Sequence, residues 1–196
     1  AKEQLNPDKN EIVTIDDSFT TIIDVFKTLD QLSGLAFRKK YLTASFGQDI
    51  FTCHVYPFVA IFKKHPILFL KDYTIAVRIR SSQTRHLTAI YNKSPLQSWV
   101  DLFNAFFSEK KYANLRNYFL KNFIASNYVG LVQIRNYAGY KYLLREIYLL
   151  LKYRPENVFF PLFWFFTLLT LILPKFLLIL LSDWYKNYIN AKLLKK

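Results

Sequence analysis

The sequence holds one cysteine, four glycines and no methionine among 196 residues. The single Cys53 excludes an intramolecular disulfide framework and any Cys-rich zinc site. It leaves the redox compartment open, a cytosolic face being permitted. With so few glycines there is no GxGxxG, no Walker loop and no GxSxG, so no Gly-rich loop can cradle a phosphate. Four glycines and seven prolines also exclude collagen-like and low-complexity classes. His54, His65 and His86 share no i,i+4 spacing, so they read as scattered histidines rather than zinc ligands. No repeat of fixed period is visible. Ala1–Lys9 is polar and lacks the apolar core of a secretory signal. A chain without methionine that opens on Ala1 is expected to be processed, trimmed or part of a longer protein.

What is abundant is apolar and basic. Hydrophobic residues make up 52% of the chain and aromatics 18%, which excludes intrinsic disorder. The net charge of +13 is unevenly placed. Residues 1–30 carry three lysines and seven acids, whereas residues 31–196 carry 24 basic and seven acidic side chains. Such asymmetry points to an anionic partner for the later part: nucleic acid, a phosphorylated ligand or a lipid surface. No recognition-helix or RNP-type motif supports nucleic acid.

Periodicity divides the chain in two. Ile12–Ile15 reads as a short strand. Asp16-Asp17-Ser18 then offers N-cap oxygens to an amphipathic helix over Phe19–Leu29. Ser33–Phe37 reads as a second strand whose Gly34 marks a close approach of backbone or ligand. Gln48–Lys64 reads as mainly helical, with Pro57 near a kink or an end. Ile67–Leu70 and Ile75–Ile79 read as strands flanking a turn at Lys71-Asp72. Beyond Pro95 the helix candidates are Pro95–Phe107, capped by Ser94, then Tyr112–Tyr128 and Leu131–Tyr153. The expected fold class is therefore α/β, a mixed sheet within residues 11–93, followed by an all-helical region.

Val158–Ser182 holds 25 residues with one charge, Lys175. Spanning a bilayer takes about 20 mostly apolar residues. Trp164, Trp184 and Tyr185 suit a membrane interface. The segment therefore reads as a membrane anchor, the alternative being a buried core helix. Pro174 and Lys175 in its middle leave a spanning helix and a re-entrant hairpin both open. Lys152 and Arg154 before it, and Lys186 and the Lys192–Lys196 tail after it, favour both ends on the cytoplasmic side. The basic, aromatic helices of residues 99–153 fit the same surface, or else form a solvated face over an ordinary core.

Candidate chemistry is sparse. Asp16-Asp17 could hold a divalent cation on a diphosphate, but serves more simply as a helix cap. Cys53-His54 are neighbours whose side chains diverge on a helix, a weak nucleophile arrangement. Asp49 or His54 could act as a general base after Gly47. Arg38, Lys39, Lys40, Arg78, Arg80, Arg85 and His86 cluster at predicted strand ends, where arginines could bind phosphate bidentately.

Residues 33–42 (SGLAFRKKYL) and 46–79 (FGQDIFTCHVYPFVAIFKKHPILFLKDYTIAVRI) resemble the second half of a family 2 glycosyltransferase with a GT-A fold. Residues 81–99 (SSQTRHLTAIYNKSPLQSW) are similar to the stretch after the catalytic core of abequosyltransferase-like members, and residues 169–181 (LTLILPKFLLILL) to their apolar tail. The resemblance spans about residues 11–185. It implies a partial acceptor-binding region at 1–93, amphipathic basic helices at 94–154, and a membrane segment with a basic tail at 155–196. It also implies sugar transfer from a nucleotide-sugar donor to a lipid-linked saccharide at the cytoplasmic face of the inner or plasma membrane. The Mg²⁺ or Mn²⁺ would be held mainly by a nucleotide-binding half with a DxD motif, absent from this chain. The family's acceptor-helix acids fall at Cys53-His54, so His54 or Asp49 would be the catalytic base. Gly34, Arg38, Arg78, Arg80, Arg85 and Trp99 would contact substrate. No QxxRW motif is present, which argues against a processive synthase. This reading requires a mixed sheet around residues 11–80. The alternative is a non-catalytic, basic, membrane-anchored interaction protein.

Overall fold

The computed structural model describes residues 7–29, 35–72 and 88–185. The chain divides into two compact units. One comprises Gln4–Ile79 and Ser98–Phe119; the other comprises Ala1–Glu3, Arg80–Gln97 and Leu120–Lys196. The division falls inside helix α3 (Pro95–Phe106) and at the end of α4 (Ala113–Phe119).

The first unit is built around phenylalanine. Strand β1 (Glu11–Val13) is followed by α1 (Phe19–Lys27). Ser18 caps α1, its hydroxyl accepting the Thr21 N–H at 3.2 Å, so one orphan donor of the first turn is satisfied. Asp17 instead closes the preceding turn, accepting the Thr14 N–H at 2.6 Å. The apolar spacing of α1 buries Ile22, Ile23, Val25 and Phe26. The Phe26 ring has Phe58, Phe62, Trp99, Phe103 and Phe119 around it at centroid distances of 4.8–6.5 Å. These come from α2 (Val55–Phe62), α3 and α4, mostly in the tilted and edge-on geometries that aromatic quadrupoles favour. Pro57 occupies the first turn of α2, where its missing N–H costs no helical bond. Gly47 is required by contact: a Cβ there would stand 2.5 Å from the Tyr56 ring.

The expected mixed sheet is not there. Among the described residues the only sheet is β1 paired antiparallel with β2 (Ile67–Phe69), Ile12 opposite Leu68. This corrects the α/β, GT-A-like fold class: the chain is mostly helical. Leu35–Phe37 runs without strand pairing into a 3₁₀ turn at Lys39–Tyr41, and Ile75–Ile79 lies outside the described residues. Short apolar runs look alike as strands and as buried helix or loop, and only a partner ladder separates them. Gln48–His54 is likewise turn rather than helix, α2 starting at Val55.

The second unit packs α5 (Gly130–Tyr137) and α6 (Tyr140–Tyr153) with α7 (Pro161–Ile172) and α8 (Lys175–Trp184). The single helix expected over Leu131–Tyr153 is broken at Gly139, whose φ of +114° only glycine adopts readily. Tyr112–Tyr128 is also interrupted: after α4 the backbone passes through a π-helical turn at Leu120–Ile124. Fully buried Asn157 ties this turn down. Its amide donates to the carbonyls of Ala125 and Leu150, both at 2.9 Å, and its oxygen accepts the Tyr128 hydroxyl at 2.6 Å. At the start of α3 the reading holds: the Ser94 hydroxyl accepts the Gln97 N–H at 2.9 Å and Pro95 is the first helical residue. The buried Glu146 carboxylate takes the Ser94 hydroxyl and the Leu96 N–H of the same turn, with Arg145 beside it.

The apolar segment is not one helix. Leu173-Pro174 separates α7 from α8, Pro174 standing at the N-cap of α8. At about 1.5 Å per residue, twelve- and ten-residue helices fall far short of a hydrocarbon core about 30 Å thick. No described helix is long and apolar enough to cross a membrane. The single spanning helix is thereby corrected to two short helices broken at Leu173-Pro174, both packed on α5.

Candidate membrane-contact surface

Of the residues expected to carry catalysis, His54 and Asp49 are described, and each is held in a structural bond. His54 is buried, and its Nε2–H donates to the Leu29 carbonyl at 2.6 Å, holding the end of α1 to the start of α2. The other ring nitrogen lies 3.9 Å from the Cys53 sulfur. Both carboxylate oxygens of Asp49 are engaged: one accepts the Phe51 N–H at 2.9 Å, the other the Ser98 hydroxyl at 2.7 Å. That geometry gives His54 and Asp49 each a structural tie. Trp99 belongs to the Phe26 cluster, its ring 6.1 Å from Phe103. Arg38 is exposed ahead of the 3₁₀ turn. Gly34, Arg78, Arg80, Arg85 and His86 lie outside the described residues. Among the described residues no group of three or more His, Cys, Asp or Glu could hold a metal ion.

One cleft of about 400 Å³ opens in the first unit, lined by Thr43, Lys63, Lys64, Lys111 and Tyr112 among others. Its central ammonium is already committed. Lys63 donates to the Phe106 carbonyl at 2.6 Å and to Glu109 at 2.9 Å, and lies over the Tyr112 ring. Hydrogen bonds from Lys63 and then Lys111 hold the Glu109 carboxyl below its ordinary pKa.

The second unit shows a different feature. In a helix on a water-facing surface, the apolar stripe turns inward and polar residues outward. Helix α7 instead turns both of its polar residues inward, beside Phe163. Its buried positions are Phe163, Thr167 and Thr170, at helical spacing, while Leu162, Trp164, Phe165, Leu168 and Ile172 face outward. Thr170 satisfies its hydroxyl on the Phe166 and Thr167 carbonyls at 2.8 and 3.0 Å, whereas the buried Thr167 hydroxyl has no partner. Helix α8 buries Leu178 and exposes Phe176, Leu180, Leu181 and Trp184. The turn before α7 adds Phe159, at 83% exposure. From Val158 to Tyr185, thirteen large apolar or aromatic side chains are at least 40% exposed.

Isolated exposed apolar residues are ordinary; this density on one segment is not. Cationic side chains flank it. Arg154 lies over the Phe160 ring, its Cζ 4.5 Å from the centroid, Lys152 is exposed at the end of α6, and Lys175 is exposed at the bend between α7 and α8. Residues 120–196 carry eleven Lys and Arg against three acids. The composition of this segment was legible from the sequence, but its inward threonines and outward aromatics emerge only once α5 supplies the face that α7 packs on.

Comparison with family models, with curated proteins and with solved structures returned no match.

Proposed function

We propose that the protein is a basic, membrane-surface module that lays the α7–α8 segment in the interface of an anionic bilayer without spanning it. The observation that carries this reading is the arrangement of α7, with both threonines inside and Leu162, Trp164 and Phe165 outside. An apolar solvent on the outer side removes the cost of that arrangement. Each of the two short helices keeps its backbone hydrogen bonds internal, as any chain entering hydrocarbon must. Surrounding lysines and arginines add electrostatic attraction, about 1 kcal/mol for each charge near an anionic surface. Sugar transfer, the other expectation from the sequence, is left without a described arrangement of residues to carry it.

Binding of the full chain to sedimenting lipid vesicles tests the reading. Trp164 and Trp184 are exposed at either end of the segment, so their fluorescence should shift to the blue when vesicles are added. A chain that stays in the supernatant with unchanged tryptophan emission, with both neutral and anionic vesicles, refutes it.

A further inference from the structure

Arg135 is an expected surface cation that the structure buries. It lies on α5 at 8% exposure, and its Nε has no hydrogen-bond partner. Its guanidinium lies over the ring of Tyr140, the first residue of α6, with Cζ 3.9 Å from the centroid. No hydrogen bond or carboxylate partner of Arg135 is found among the described residues, whereas Glu156 pairs with Lys121 and Glu146 faces Arg145. A guanidinium cannot shed its proton, so a buried one needs an anion.

The start of α6 adds independent donors. Gly139, at its N-cap, has no side chain to offer, and no acid occupies the first turn. The first backbone bond into the helix is Leu143 N–H to the Gly139 carbonyl at 3.1 Å, so the amides of Tyr140, Lys141 and Tyr142 precede it uncapped. Lys141 stands exposed in the same turn. Free amides, a helix dipole and a fork-shaped cation together suit the oxygens of a phosphate.

The place of this turn indicates where the phosphate comes from. The Tyr140 hydroxyl donates to the Leu171 carbonyl at 3.2 Å, in the last turn of α7, and α5 packs on both α7 and α8. Exposed Ile172 and Lys175 follow directly. We propose that Arg135, Lys141 and the uncapped amides of α6 bind the phosphate of an anionic lipid headgroup when the α7–α8 segment lies in the bilayer. The proposal rests on the membrane-surface reading and names the lipid chemistry of that same surface.

The test compares vesicles of phosphatidylcholine with vesicles that also contain phosphatidylglycerol. Wild type should prefer the anionic vesicles. Arg135→Gln should lose about tenfold in affinity for them and Lys141→Gln about fivefold, each losing distinctly less on phosphatidylcholine, whose choline cation offsets the charge of the same phosphate. Lys141 is exposed, so its variant tests the site even where Arg135→Gln folds poorly. Arg135→Lys, which keeps the charge but loses the fork, should fall between wild type and Arg135→Gln. Equal losses on both vesicle types, or none on the anionic ones, overturn the headgroup site and leave the membrane-surface reading standing. Failure of wild type to bind either vesicle overturns both. Protection of wild type by inorganic phosphate against thermal unfolding, lost in Arg135→Gln while vesicle binding is unchanged, shows a free-phosphate site and overturns the lipid source.

Discussion

Replacing Phe159, Ile172 and Phe176 together by alanine separates a membrane-inserting surface from a packed one. These side chains are 83%, 72% and 68% exposed, so in water they contribute little to folding. Fully burying one such side chain is worth about 1.5–3 kcal/mol, so the exposed share still available to a bilayer is about 1–2 kcal/mol each. If about half of that area enters the interface, the triple substitution removes about 1.5–3 kcal/mol of partitioning, or about one to two orders of magnitude in binding. Folding stability in the absence of lipid should move by less than about 1 kcal/mol in total, as exposed substitutions do. Vesicle sedimentation measures the first quantity and urea unfolding the second. Phe163→Ala is the control. That ring is fully buried, so truncation should cost about 3–5 kcal/mol of stability. The reasoning fails if the triple variant binds vesicles as wild type does, or if it unfolds as readily as Phe163→Ala.

Three further outcomes follow from the interior of the molecule. Burial raises the Glu146 carboxyl pKa above its ordinary value, against the opposing pull of Ser94, Arg145 and Leu96. The folded state therefore holds this proton more tightly than the unfolded chain. The favourable contribution is fully present below the ordinary carboxyl pKa and is lost as pH rises through the raised one. Glu146→Gln should flatten that part of a stability-against-pH curve measured by urea unfolding; an unchanged curve would show that the carboxylate is not the titrating group. Asn157→Ala removes an amide that serves two buried carbonyls and a buried hydroxyl, so it should cost about 2–4 kcal/mol in a denaturant titration. Gly139→Ala meets no steric contact, since nothing lies within 4 Å of the added Cβ, so its cost should be backbone strain alone, about 1–3 kcal/mol by the same measurement.

Local chemistry was legible where one residue decides one bond. Ser18 and Ser94 cap the helices their positions predict, Pro95 opens α3, and β1 lies on the expected apolar run. What failed was inference that needed a partner. The strand reading of Leu35–Phe37 presumed a neighbouring ladder, and no described strand provides one. Nor does the sequence display the Leu29 carbonyl, 25 residues away, that holds the imidazole of the candidate base His54. Gly139 reads as an ordinary helix interior until the backbone there turns to positive φ and ends one helix to begin another.

The sequence by itself determined that this chain is basic, aromatic and poor in glycine, and that Val158–Ser182 is too apolar for an ordinary surface loop. Composition and short-range periodicity suffice for such properties, because they depend on residues within a few turns. Only the tertiary structure decided that this segment is two short helices with the threonines of α7 inward, and that Arg135 is buried with no carboxylate partner among the described residues. Which face of a helix is covered depends on elements far away in sequence. Here α5 packs on α7 and α8, leaving Phe159, Phe165, Ile172, Phe176 and both tryptophans of the segment to whatever lies outside.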